Sequence, residues 1–211
     1  DSYCALGAGG QLILVIPEKE IVFVTTANTM QGRDEHQLIL DSFWDKIYPS
    51  IGDGSIAYDE TGYERMQQKI QQLKLHLPQG KEITDLSSQI SGKRFRFEEN
   101  KLGYDSCIFS FEDNNHLTFY CGDDIKVDEM QIAFDMNDWS IGHEPFYGMQ
   151  AACTGHWVDD TTLIIQLQLL EHGQVFLITC CFDQEMVTIQ IKPFGALQTS
   201  QLDVGLVGIS V

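Results

Sequence analysis

Apolar positions along the chain change period twice. Two unbroken apolar runs come first, QLILVIP (11–17) and IVFVTTAN (21–28). Both are rich in branched residues and too short for a helix, so they read as buried strands. Pro17 and the charged Glu18-Lys19-Glu20 between them predict a hairpin. After Asn28 the period becomes helical. Asp34 suits an N-cap, Ile39, Phe43 and Ile47 share a face with Leu40 and Trp44 beside it, and Pro49 helps to end the helix. The loop GDGS (52–55) follows. A second amphipathic helix is predicted over 58–76, with Tyr63, Met66, Ile70 and Leu73 at helical spacing. Pro78 and Gly80 then break the pattern.

From residue 90 the helical period is gone. KRFRFEE, DSCIFSFED, HLTFYCG, MQIAFD, MQAACTGHWVDD, TLIIQLQLLE, QVFLITCCFD, EMVTIQIKP and DVGLVGISV succeed one another, many separated by turn pairs such as Asp159-Asp160 and Asp183-Gln184. This series predicts an antiparallel meander whose roughly eight strands close into a small barrel. The fold class is therefore α+β: an N-terminal β-hairpin plus two helices, then a calycin- or lipocalin-like antiparallel β-barrel. The division is 1–55, a connecting helix and linker at 56–80, and an all-β domain at 81–211.

The net charge of −18, from 13 basic and 31 acidic residues, narrows the functions. Nucleic-acid binding needs basic patches, and an acidic surface repels anionic membranes, so neither partner is expected. No apolar run reaches the roughly 18 residues that span a bilayer. The six cysteines form no C-x-x-C pair, which argues against a zinc or redox motif and for reduced thiols in a cytoplasmic setting.

The glycine cluster Gly7-Ala8-Gly9-Gly10 precedes a strand and lacks a helix after it. A phosphate-binding loop needs the reverse order, so nucleotide binding is rejected and a tight turn into a strand remains. The wider string, GAGGQLILVIPEKEIVFVTTAN followed by DEHQLILDSFWDKIYPSI, resembles the C-terminal end of the serine β-lactamase-like hydrolases, in particular the class C and esterase branch with its penicillin-binding-like members. The resemblance covers about the first 50 residues. It implies a fragment carrying the last sheet hairpin and terminal helix of a hydrolase domain, with Gly7, Ala8, Gly9 and Gly10 at the substrate-cleft edge of the parent. Where that family has K-T-G or H-x-G, this chain has Ala5-Leu6-Gly7, and it contains neither S-x-x-K nor Y-x-N. Without the nucleophile and its lysine, acyl transfer has no covalent path. No catalytic residue is carried over, and the chain alone is expected to be inactive.

The tail has a weaker resemblance to β-domains appended to such hydrolases, through Ile90-Ser91-Gly92-Lys93-Arg94-Phe95 and Gly155-His156-Trp157-Val158-Asp159-Asp160. Trp139, Phe146, Tyr147 and Trp157 are candidates to line a barrel pocket, or else to fill the barrel. The histidines at 36, 76, 116, 143, 156 and 172 are scattered; His143-Glu144 and His156 with Asp159 are the pairs worth naming. Asp135-Met136-Asn137-Asp138 misses a calcium loop because Trp139 stands where a third ligand belongs. No metal and no cofactor is expected. The functional expectation is a non-catalytic C-terminal part of a serine hydrolase with an accessory substrate-shaping or interaction domain. The rivals are a small-ligand barrel and a purely structural or dimerisation domain. The expected partner is the missing N-terminal hydrolase portion, with self-association through the exposed hairpin as a second outcome.

Overall fold

The computed structural model describes residues 1–27, 35–52, 54–55, 57–112, 114–121, 128–143, 148–171, 174–194 and 204–211. It divides into two compact units, Asp1–His76 and Leu77–Val211.

The first unit holds a three-stranded antiparallel sheet in the order β1 (Tyr3–Gly7), β2 (Gln11–Ile16), β3 (Ile21–Thr25). The two expected strands are there, and β1 makes the hairpin a sheet. It pairs with β2 from Tyr3 opposite Val15 to Gly7 opposite Gln11. The short segment YCALG has few branched residues, so it carried little strand signal. Between β2 and β3, Pro17–Lys19 forms a 3-10 turn, and Glu20 takes a left-handed φ of 53° while donating its amide to the Pro17 carbonyl.

Helix α1 (Glu35–Ser42) runs into a π-helical turn at Phe43–Ile47 and a 3-10 turn at Tyr48–Ser50. The suggested cap Asp34 lies outside the described residues. Leu14, Ile16 and Phe43 are buried together, flanked by Ile21, Phe23, Leu40 and Tyr48. The rings of Phe23 and Phe43 lie 4.7 Å apart. Helix α2 (Glu60–Gln71) is capped by Asp59, whose carboxylate accepts the Gly62 amide at 3.0 Å. It is shorter than 58–76 at both ends. Its stripe is exposed at Tyr63, Met66, Ile70 and Leu73, so a longer helix would have gained no burial to offset the ordering of its ends.

The second unit opens with α3 (Asp85–Ile90), capped by Thr84, which accepts the Ser87 amide. This turn of helix was not anticipated. Ten strands follow: β4 (Arg94–Phe97), β5 (Ser106–Ser110), β6 (His116–Cys121), β7 (Asp128–Ala133), β8 (Ser140–His143), β9 (Gln150–Trp157), β10 (Thr162–Leu169), β11 (Val175–Asp183), β12 (Met186–Phe194) and β13 (Val204–Ser210). Strand number exceeds the expected eight or so. Strand β8 was missed because it is short and three of its four residues are exposed, which leaves no alternating pattern to read.

The sheet order is β7-β6-β5-β4-β13-β12-β11-β10-β9-β8. Strands consecutive in sequence pair with each other except β7 and β8, and the last strand pairs with the first. The meander is thus a nearly closed antiparallel barrel whose one missing ladder lies between β7 and β8. Two isolated bridges reach β9 beyond the end of its pairing with β8, Asp135 with Thr154 and Lys81 with Trp157. The amide and carbonyl of Lys81 each bond to Trp157 at 2.9 Å.

Period-2 alternation fills the interior. Leu163, Ile165, Leu167 and Leu169 point inward from β10, opposite Cys180, Ile178 and Phe176 of β11. Phe95, Phe109, Trp157 and Phe182 are all buried in the same cluster. Ring centroids 5.1 Å apart for Phe109 and Phe182, and 5.8 Å for Trp157 and Phe182, make one continuous aromatic core. Gly155 is needed on β9, because a Cβ there would lie 2.5 Å from the Phe134 ring.

Candidate functional site

The glycine cluster is the connection between β1 and β2. Pairing ends at Gly7 opposite Gln11, so Ala8, Gly9 and Gly10 form the turn. Gly9 and Gly10 take φ of 77° and 83°, a region that side chains disfavour. Both are buried, whereas Ala8 is exposed. Three side chains bond to backbone carbonyls in and beside the turn. Thr25 donates its hydroxyl to the Gly10 carbonyl at 2.8 Å, Gln11 donates its side-chain amide to the Ala27 carbonyl at 2.8 Å, and His36 Nε2 meets the Gly7 carbonyl at 2.7 Å. The turn itself has no side chain larger than a methyl, so it can offer a ligand only backbone groups. The His36 contact was invisible in the sequence, since 29 positions separate the partners.

The barrel candidates separate. Trp157 is part of the packed core, 5.8 Å from Phe111, with its indole Nε1 buried and without a hydrogen-bond partner among the described residues. Trp139 is half-buried and outside that cluster, and its Nε1 is likewise shielded and without a partner among the described residues. Phe146 and Tyr147 lie outside the described residues, as does Glu144 beside the exposed His143.

Several titratable groups are committed to local structure. The Asp135 carboxylate accepts the amides of Asn137 and Asp138 at 2.7 and 3.0 Å, an Asx turn at the site of the near-calcium pattern. The Asp159 carboxylate accepts the Thr161 amide at 2.8 Å, and that bond foremost holds its pKa low. Half-buried His156 has its pKa lowered by burial, and its Nδ1 has no hydrogen-bond partner among the described residues. None of the six cysteines is joined in a disulfide. Burial pushes the Cys107 and Cys180 thiols far up, keeping them neutral and poor nucleophiles. Among the described residues no three His, Cys, Asp or Glu side chains are grouped to hold a metal ion.

Two open grooves mark the barrel surface. One of about 390 Å³ lies along β5, β6 and β7 at Ser110, His116 and Gln131. The other, about 350 Å³, lies beside α3 at Glu82, Ser87, Phe111 and Asp135. In the second, the Ser87 hydroxyl already donates to the Thr84 carbonyl and Asp135 closes its own turn. Ser110 and His116 stand opposite each other in the first groove, but His116 Nδ1 meets the Asn114 carbonyl at 2.9 Å, and among the described residues no hydrogen bond joins the two side chains. No protein-family model matches the chain, and no curated protein is significantly similar to it.

Proposed function

We propose that residues 1–55 are the C-terminal remnant of a β-lactamase-like serine hydrolase domain, and that Leu77–Val211 is its accessory barrel. The acyl-serine chemistry belongs to the parent, on an S-x-x-K and a Y-x-N that this chain lacks. The chain alone is catalytically silent.

One observation carries this reading: among the described residues, the sheet of the first unit is covered over part of one face and left bare on the other. Tyr3, Ala5, Ile13, Val22 and Val24 share the other face by strand register, and Tyr3, Val22 and Val24 are 63%, 64% and 56% exposed. A bare apolar face between two edge strands is what a piece of a larger sheet presents. The remaining hydrolase portion is the partner that fits it. In isolation, the same sheet pairs with a second copy. The Gly7–Gly10 turn then stands at the edge of the parent's cleft, shaping it through backbone alone.

The barrel shapes substrate access or mediates contacts. Its aromatic-filled interior lends no support to the small-ligand alternative. Six cysteines outside any disulfide fit a reducing, cytoplasmic setting.

A penicillin-type acylating probe applied to the full-length parent tests the proposal. A stable label on a serine outside this chain supports it; a label on a serine within residues 1–211, or none, overturns it. Deleting 81–211 from the parent is expected to change turnover or oligomeric state, and no change in either would sink the accessory role.

A further inference from the structure

We infer that His36 is a positioning residue for the glycine turn, acting through the Gly7 carbonyl. The functional half of this inference rests on the hydrolase reading. A turn built of Gly7, Ala8, Gly9 and Gly10 has no side chain by which the rest of the fold can grip it. It can be held only through its backbone. Thr25 holds the Gly10 carbonyl from the neighbouring strand β3. His36 holds the Gly7 carbonyl from outside the sheet, at the start of α1. A carbonyl only accepts, so Nε2 carries the proton in this contact. The helix continues into Phe43, which packs on Leu14 and Ile16 of β2. The turn is therefore located at both of its ends, and His36 ties it to the helix. In the parent, His36 sets where the cleft edge stands without touching substrate.

Hydrogen exchange on the 211-residue chain tests the clamp, using His36→Phe, which keeps a ring but removes the donor, and His36→Gln, which restores one. Amides of residues 8–11 are expected to exchange about three- to tenfold faster in His36→Phe, the worth of one neutral hydrogen bond. Those of Leu14 and Ile16 stay unchanged, and His36→Gln recovers most of the protection. Unchanged exchange at 8–11 overturns the clamp. So does equal acceleration through β2 and α1, which would mean general loosening.

Ester hydrolysis by the full-length parent tests the cleft role. His36→Phe is expected to raise KM with little change in kcat, with recovery in His36→Gln. An active parent with unaltered KM and kcat in His36→Phe overturns the cleft role while the exchange result stands. A parent with no acyl-transfer activity removes the hydrolase reading and the cleft role with it, and exchange alone then judges the clamp.

Discussion

The two units use the same kind of material to opposite effect. Both contain antiparallel strands of Leu, Ile, Val and Phe. In Leu77–Val211 one cluster gathers 25 buried residues among those described, most of them on these strands. In Asp1–His76 the corresponding cluster has three members among the described residues, Leu14, Ile16 and Phe43. The difference is topological. A meander whose last strand pairs with its first consumes nearly all its edges and turns one face wholly inward. A three-stranded sheet has two edges and two faces, and the segment from Leu40 to Tyr48 covers part of one face. Strand-forming sequence is therefore no guarantee of a self-sufficient core. What matters is whether the chain supplies enough strands to close on itself.

The comparison breaks most sharply if the first unit folds alone. Excised Leu77–Val211 is expected to melt cooperatively, and excised Asp1–His76 to lack fixed side-chain packing. Near-UV circular dichroism with thermal melts checks both, and a cooperative transition in the 1–76 piece would contradict the contrast. Next in size, Trp157→Ala in the barrel core is expected to cost about 3–5 kcal/mol in urea denaturation. Val24→Ser on the bare face of the first unit should stay within about 0.5 kcal/mol in the same chain. A large loss at Val24 would mean that face is covered after all.

A smaller effect is expected from overfilling the barrel. Gly155→Ala sets a methyl 2.5 Å from the Phe134 ring, and a cost of about 1–3 kcal/mol follows from a core with no room to yield. Denaturant midpoints of the wild type and variant give the number.

The smallest effect is a pH dependence confined to the barrel. Burial lowers the His156 pKa below its ordinary 6.5, so folding disfavours the charged ring. That contribution is fully present above pH 6.5 and is lost as the pH falls through the lowered folded value. The barrel's melting temperature should decline on this limb, and His156→Gln should flatten that component. An identical decline in both proteins would place the acid sensitivity elsewhere.

Much of the architecture was legible from periodicity. The alternation in TLIIQLQLLE (162–171) named both the strand β10 and its buried side, because side chains alternate across a strand whatever its neighbours do. Strands β1 and β8 escaped for the opposite reason. Tyr3–Gly7 and Ser140–His143 are strands by virtue of the partners they pair with, and their own residues carry little pattern. The candidate site was legible only as composition. Gly7, Gly9 and Gly10 announced a turn, since glycine permits the positive φ that two of them adopt. Nothing in the string pointed to His36, because a hydrogen bond across 29 positions follows from how a helix docks.

The sequence by itself determined the strands that carry alternation, their succession, the acidic charge and the absence of S-x-x-K, all of which are local properties of the chain. Tertiary structure alone decided that ten strands nearly close, that Trp157 is core, and that the glycine turn is gripped by His36. It also decided that one unit buries its apolar face while the other leaves one bare. These depend on which distant segments meet, and hydrophobic burial rewards that meeting without recording it at any single position.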